Sequence, residues 1–512
     1  MTQRQLGNTR NIAFFLLFFA SMGASSVLVV PPAAAQGRDQ PKPGAEPAKP
    51  AGPEDPDMPP DQEATDPVAK AILDDERPDA LAEALAPVPG GLQPAQVARL
   101  AAGSSRSVAV IRAEARAAAA KVDRAIAAYF PILTLAATYT RTSKHPMDFG
   151  LDALMPPGTE STAFEAIPNN YALTASLAVP ISDYLLRLSQ AYATVSLEED
   201  AKKLEIRAGE QQAAMEAQVA YFTWIRVQGG IAIAELSVET TKRHLGDVKA
   251  LMGGALATRA DVLQVEAELA RQEHSVRAAQ AGQKVVAEQL RTLMHVEPTA
   301  PLAIGIDVIE EQPQGDNRKL AELVQVALAN RPELKALDKT RKSLEEATAV
   351  VRAGYYPRLD AFANTMYANP NPRVFPSAEK WDLSWDVGLR LSWRVNDTFT
   401  TLGHVREMEA NTVKIKQSRK ALEDGIRLMT TKAYYDIETA LSAIEAANKS
   451  EEASETALDD RRKLFRGGRA TSTEMVDAET LLTATRWSRL DAHINLLVAR
   501  AQLDLALGRP LK

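Results

Sequence analysis

Few residues of this 512-residue chain have the types and spacing that catalysis or metal binding requires. Cysteine is absent, which excludes disulfides, thiolate metal sites and thiol nucleophiles. The six histidines are scattered without the HxxxH or HxH spacing of a metal site. The chain also lacks GxSxG, HExxH and phosphate-loop motifs. We therefore expect no enzymatic activity, no cofactor and no bound metal.

The most regular polar motifs are two Thr-x-x-acid patterns. Thr258 precedes Asp261 by three residues, and Thr471 precedes Glu474 in the same way. This is the spacing of a capping box at the start of a helix, and each motif follows a Gly-Gly pair of the kind that stops a helix. Carboxylates in a first turn also suit the helix dipole. The motifs predict that one helix ends and another begins at both places.

An internal duplication organises the chain from Leu92 onward. Marks in the first copy recur in the second in the same order and at nearly constant spacing. The pairs are 128–133 with 354–359, Leu177–Asp183 with Leu391–Asp397, Gly253-Gly254 with Gly467-Gly468, and Glu266 with Glu479. Each copy is therefore expected to fold as one structural repeat.

Four segments alternate apolar and polar residues with the period of two that indicates a strand. The predicted strands, two in each copy, span about 132–142, 171–182, 359–368 and 383–395. Strands of this length fit a tilted crossing of a bilayer about 30 Å thick. Trp381, Trp385 and Trp393 cluster at the last strand, as in an interfacial aromatic girdle. Because four strands cannot close a barrel alone, several chains would have to share one.

Two stretches of helical periodicity are far longer than a globular domain uses. They run from Tyr184 to about Leu251 and from about Thr398 to Arg466, or about 100 Å each at ~1.5 Å per residue. Near the C-terminus, apolar residues step by three and four like a coiled-coil seam: Trp487, Leu490, Ile494, Leu497 and Ala501. Helices this long without a globular core have to pack side by side.

The N-terminal residues differ in composition from the duplicated part. Residues 1–35 combine two arginines, an apolar run and three final alanines, which predicts a signal peptide. Residues 36–91, rich in Pro, Ala, Asp and Glu, predict a disordered linker. The first repeat then spans 92–297, a connector 298–318 and the second repeat 319–512. The net charge of -7, with the signs interspersed, argues against nucleic-acid binding.

Two motifs carry a resemblance to a known family. Residues 327–334 (ALANRPEL) and 465–478 (FRGGRATSTEMVDA) are similar to signature stretches of the TolC-type outer membrane efflux protein family. The order of helix, Tyr-x-Pro-x-Leu, strand pair, long helix, glycine turn and helix also matches, over roughly Leu92 to Pro510. The resemblance implies a mainly α chain with membrane β-strands. Three copies would form a twelve-stranded β-barrel, four strands per chain, continued by a long α-helical tunnel.

The same resemblance implies a function. The chain would be the outer-membrane channel of a tripartite efflux pump or a type I secretion system, in outer-membrane lipid with its tunnel in the periplasm. Its expected partners are a periplasmic adaptor (membrane fusion) protein and an inner-membrane RND-type or ABC transporter, which supplies the energy. The alternative is a non-channel periplasmic coiled-coil scaffold or adaptor. Adaptors pair one helical hairpin with compact β-domains, and the sequence shows no run of short strands for these.

In the family, the turns at the inner tip form a gated entrance, which corresponds here to 251–262 and 465–478. The acidic residues of that entrance correspond to Glu474 and Asp477, and in a trimer they would form two carboxylate rings that favour cations. A gate aspartate corresponds to Asp261, although capping alone equally explains Asp261 and Glu474.

The tip of this chain also departs from the family. Phe465 stands in place of a gate tyrosine and Ala470 in place of a gate arginine. Arg259 and Arg466 are the candidate replacements for that arginine. The family's bond network therefore does not transfer to this sequence directly.

Overall fold

The computed structural model describes residues 80–143, 146–147, 164–165, 167–309, 318–375 and 377–509. The helices are α1 (Ala80–Ala84), α2 (Pro94–Ser104), α3 (Arg106–Ala127), α4 (Ile181–Leu186), α5 (Leu188–Gly253), α6 (Arg259–Met294), α7 (Leu320–Asn330), α8 (Pro332–Arg352), α9 (Asp397–Arg466) and α10 (Ser472–Ala506). The main strands are β1 (Ile132–Arg141), β2 (Asn169–Val179), β3 (Arg358–Asn369) and β4 (Asp382–Ser392). The predicted signal peptide lies outside the described residues. A mainly helical chain with a four-stranded sheet confirms the predicted fold class.

The four main strands form an antiparallel sheet in the order β1-β2-β3-β4. Residues paired across neighbouring strands lie on the same face. One row across the sheet consists of Thr134, Ser176, Asn364 and Asp386, and the adjacent row on the other face consists of Leu133, Leu177, Ala363 and Val387. The sheet therefore has one polar and one apolar face. The apolar face is uncovered in the single chain, where Leu135 is 72% and Trp385 70% exposed.

Two strands end earlier than the sequence predicts. β2 stops at Val179 because Pro180 has no N–H for the ladder, and Ile181 begins α4 instead. β4 stops at Ser392, so Trp393 and Val395 lie beyond the strand although they continue its alternation. The first long helix begins later than expected, at Leu188, after a break in helical geometry at Arg187.

The described helices all connect to the same end of the sheet. The helical segments α3 and α8 lead into the starts of β1 and β3, and α4 and α9 follow the ends of β2 and β4. Because the strands alternate in direction, these four junctions lie at one end of the sheet. The connections from β1 to β2 and from β3 to β4 leave the strands at the opposite end. The fold therefore separates the sheet from the helices along one axis.

The long helices form two hairpins. Hairpin one is α5 with α6, and hairpin two is α9 with α10. α5 has 66 residues and α9 has 70, and neither contains a proline to interrupt its hydrogen bonds. Among the described helices, none combines the length and apolarity that a membrane crossing needs.

The main core joins the two hairpins about midway along α5. Tyr221, Trp224 and Ile225 of α5 pack there with Leu490 and Ile494 of α10. Two of these residues belong to the predicted coiled-coil seam. Long helices are stabilised chiefly by such burial rather than by intrinsic helix propensity.

Two predicted boundaries change because flanking residues join this core. Leu81 and Leu85 are buried in it, so residues 80–91 are wrongly assigned to the disordered linker. The predicted connector also packs, through Ile304 and Val308, and the hydroxyl of Tyr221 donates a hydrogen bond to the Leu92 carbonyl. Apolar residues in a Pro-rich segment are therefore sufficient to order its C-terminal end.

The signature at 327–334 has a structural role. Arg331 is buried between α7 and α8, where it pairs with Glu333 at 2.7 Å and donates to the Leu505 carbonyl at 2.7 Å. It thereby satisfies a carbonyl at the C-terminal end of α10, and Pro332 begins α8. This motif fastens the end of hairpin two to the start of the second repeat.

Candidate functional site

The candidate entrance lies at the tips of the two hairpins, which close in the same way. In hairpin one the Leu256 N–H donates to the Leu251 carbonyl, and in hairpin two the Arg469 N–H donates to the Leu464 carbonyl, both at 2.9 Å. A left-handed residue accompanies this bond in each turn. It is Gly468 in hairpin two, with φ 67°, but Ala255 in hairpin one, with φ 57°.

The predicted tip glycines therefore have different roles. Only Gly468 has the positive φ that favours glycine. Gly253 is the last residue of α5, and a β carbon there would meet open space. Gly254 and Gly467 have negative φ. The duplicated Gly-Gly pair thus marks both turns, although the backbone conformation favours glycine at only one of the four positions, Gly468.

Both Thr-x-x-acid motifs form complete capping boxes. The Thr258 N–H donates to Asp261 Oδ2 at 2.8 Å, and the Thr471 N–H donates to Glu474 Oε2 at 2.9 Å. The Thr258 hydroxyl also donates to Asp261 Oδ2, at 2.7 Å. This bond and then the Thr258 N–H hold the pKa of Asp261 below its usual value, and the Thr471 N–H does the same for the pKa of Glu474. Both groups are therefore anionic at neutral pH.

Glu474 and Asp477 lie on one face of α10, one helical turn apart, and both are exposed. Glu474 has an additional partner in Arg461 of α9, at 3.4 Å. Capping and an entrance role are compatible, because the cap uses Glu474 Oε2 and the exposed side chain still presents its charge.

The candidate gate residues do not come together as a single network. Phe465 is buried between the hairpins, where it stacks on His244 with ring centroids 5.1 Å apart. Arg466 lies 3.5 Å from Asp247 of α5 rather than beside Asp261. Arg259 lies exposed in the first turn of α6. The substitution of phenylalanine for the family tyrosine thus places an apolar contact where a hydrogen bond is expected.

Sequence reasoning missed a buried polar cluster beside Phe465. His244 of α5 faces Ser472 and Glu479 of α10, and all three are buried. The duplication had paired Glu479 with Glu266, but nothing in that pairing distinguishes a buried carboxylate from an exposed one. Among the described residues, no group of three metal-ligating side chains comes together.

Solved structures of outer-membrane channels share this architecture. OprN is 19% identical, with a TM-score of 0.69, over 85% of this chain and 96% of that chain. VceC of Vibrio cholerae is 15% identical, with a TM-score of 0.69, over 83% of this chain and 98% of that chain. MtrE of Neisseria gonorrhoeae, captured in an open state, is 15% identical, with a TM-score of 0.66, over 82% and 89%. The fold is that of an outer-membrane channel protomer.

Residues 323–509, which include all of hairpin two, match the family model named outer membrane efflux protein. The match covers the part of the chain that carries both signature motifs, and it agrees with the family resemblance that those motifs predict. No curated protein sequence matches the chain. The family match over residues 323–509 and the shared fold favour the predicted channel class over the scaffold alternative.

Proposed function

We propose that this chain is the outer-membrane duct of a tripartite efflux pump or a type I secretion system. The observation that carries the proposal is the isolated sheet. It has an apolar face left uncovered and a polar face, and both of its outer edges, on β1 and β4, lack a neighbouring strand in the described chain. A membrane-spanning sheet has to close on itself so that no edge meets lipid.

Closure is achieved by three copies. Four strands per chain then give a twelve-stranded barrel, which lies within the range of bacterial outer-membrane barrels. The apolar face meets lipid and the polar face lines the lumen. Asn364 and Arg373 hold Asp386 on the lumen side, at 2.9 and 2.5 Å.

The helices extend the lumen into the periplasm. Since both hairpins connect to the same end of the sheet, they lie on one side of the membrane. At ~1.5 Å per residue, α5 and α9 each span about 100 Å. We infer that their tips meet a periplasmic adaptor and an inner-membrane RND-type or ABC transporter. The chain itself performs no catalysis and serves as a passive exit.

The first test is to purify the mature chain in detergent, and to record its mass and its conductance in a planar bilayer. The expected result is a trimer that conducts. A water-soluble monomer without conductance would overturn the barrel and return the scaffold alternative. A trimer that binds detergent but never conducts would support the proposed barrel and contradict the proposed duct function.

Neutralising the entrance is expected to weaken cation preference. In a trimer, Glu474 and Asp477 form two rings of three carboxylates, whose field attracts cations and repels anions. The double variant Glu474→Gln with Asp477→Asn should lower the cation-to-anion permeability ratio, measured from reversal potentials in a salt gradient. The ratio should vary most at low ionic strength, where screening is weakest.

A matched control is Glu445→Gln with Asp459→Asn. These carboxylates lie on α9, exposed and paired with Lys449 and Lys463. Their loss should leave selectivity unchanged. Equal selectivity of the entrance variant and the wild type would exclude the carboxylate rings as the selectivity element. The conclusion about the fold would stand.

A further inference from the structure

A buried polar cluster joins the two hairpins close to their tips. His244 is 3%, Glu479 4% and Ser472 4% exposed. His244 Nε2 lies 3.1 Å from the Ser472 hydroxyl, and His244 Nδ1 lies 3.7 Å from Glu479 Oε1. The contact crosses from hairpin one to hairpin two, because His244 belongs to α5 and both partners belong to α10.

The hydrogen bonds of this cluster are incomplete. His244 Nδ1 and Glu479 Oε1 are both buried without a hydrogen-bond partner. Thr241 has one hydroxyl proton but two acceptors in reach, Gln272 Oε1 at 2.9 Å and Glu479 Oε2 at 3.3 Å. If the proton goes to Gln272, Glu479 has to be protonated in order to bond the Thr241 oxygen. Buried polar groups without hydrogen-bond partners are stabilised when water reaches them.

Burial favours the uncharged form of both Glu479 and His244. It raises the pKa of Glu479 to about 7, and it lowers the pKa of His244. The charged neighbours come from three helices: Arg243 and Asp247 on α5, Glu268 on α6 and Arg462 on α9. Their signs are balanced, so desolvation dominates.

The duplication shows that this burial is specific to the second repeat. The counterpart of Glu479 in the first repeat is Glu266, which pairs with Lys249 at 2.9 Å. Both side chains of that pair are largely solvent-exposed, at 43% and 50%. A carboxylate at this repeat position therefore does not need to be buried. Only in hairpin two does it face the other hairpin.

We propose that His244 and Glu479 form a proton-linked latch between the hairpins. While the hairpins touch, both groups are buried and uncharged, and when the hairpins separate, both become hydrated. This inference rests on the proposed duct, and it adds that the hairpin tips open to admit cargo. It assigns to these two residues, rather than to Asp261, the main polar contact that opening has to break.

The two groups give the latch opposite pH responses. Opening returns Glu479 to its ordinary pKa near 4.5, so it releases a proton, and acid below pH 7 favours the closed tip. Opening returns His244 to its ordinary pKa near 6.5, so it takes up a proton, and acid below pH 6.5 favours the open tip. In the wild type the two effects therefore oppose each other as the pH falls below about 6.5.

Removing either group should reveal the response of the other. Between pH 7.5 and 5.5, the open-to-closed ratio of Glu479→Gln should rise by up to about tenfold, whereas that of His244→Gln should fall by at least about tenfold. The wild type should change in the same direction as His244→Gln but by less, since the two linkages oppose each other. Single-channel recordings at both pH values measure all three ratios. Asp261 and Glu474 stay ionised over this range because their pKa values lie lower.

Glu266→Gln is the matched control, and it should follow the wild type. Glu479→Met, which also lacks the charge, should behave like Glu479→Gln and guards against a folding defect in one variant. A common pH response in the wild type and both latch variants would overturn the latch alone. A wild type that forms no pore at any pH would overturn the proposed function and the latch with it.

Discussion

Oxidation of the double variant Ser237→Cys with Thr483→Cys is expected to abolish most channel openings, and reduction is expected to restore them. Ser237 lies on α5 and Thr483 on α10, with their hydroxyl oxygens 3.3 Å apart. Sulfur atoms at these positions are close enough to bond after a small adjustment. The disulfide would fix hairpin one to hairpin two beside the latch. Conductance before and after a reducing agent measures the effect.

The chain offers a close control for this experiment. Ser454 and Thr485 have hydroxyl oxygens 2.8 Å apart, but they join α9 to α10 within hairpin two. The chain has no other cysteine, so each double variant can form only its designed disulfide within a protomer. A disulfide in Ser454→Cys with Thr485→Cys should leave openings intact. If both disulfides block conductance, or neither does, the tip does not open by separating the hairpins.

The elements of this fold were predictable because their patterns are local. Period-two alternation located four strands, and helical periodicity located α5 and α9. The errors fall where a single residue or a tertiary contact outweighs the pattern. Pro180 ends β2 although Ile181 continues the alternation, and Leu81 orders a segment whose composition resembles a linker.

The candidate site was less predictable, because its chemistry depends on which helices face each other. Capping boxes are local, so Asp261 and Glu474 lie where their motifs place them. Burial of Glu479 depends on contact between hairpins, which no spacing within α10 records. Its repeat counterpart Glu266 has a similar sequence setting and lies at the surface.

The Gly-Gly pairs also show that local sequence does not record the contact between the hairpins. The pair at 253–254 ends α5, whereas Gly229-Gly230 lies inside α5 without interrupting it. Glycine lowers helix propensity at both places, so propensity alone would end or weaken the helix at either. The difference is tertiary: α10 packs closely against Gly229 and Gly230, through Leu490 and Trp487.

Gly230→Ala is therefore expected to destabilise the protein although alanine is the better helix former. A β carbon at this position would lie 2.0 Å from Cη2 of Trp487, so the rigid indole would have to move out of its packing. Such overpacking costs about 1–3 kcal/mol, which outweighs a propensity gain of about 1 kcal/mol. Thermal unfolding followed by circular dichroism should show a lower midpoint than the wild type.

Two further variants separate packing from propensity. Gly246→Ala lies in the same helix, where an added β carbon meets open space, so it should stabilise by about 0.5–1 kcal/mol. Trp487→Ala should remove most of the penalty of Gly230→Ala, since the clashing ring is gone, and a double-mutant cycle should give a coupling of about 1–3 kcal/mol. Additive effects would mean that Gly230 is not kept small by Trp487. Coupling would show that a glycine inside a long helix marks where hairpin two presses against hairpin one.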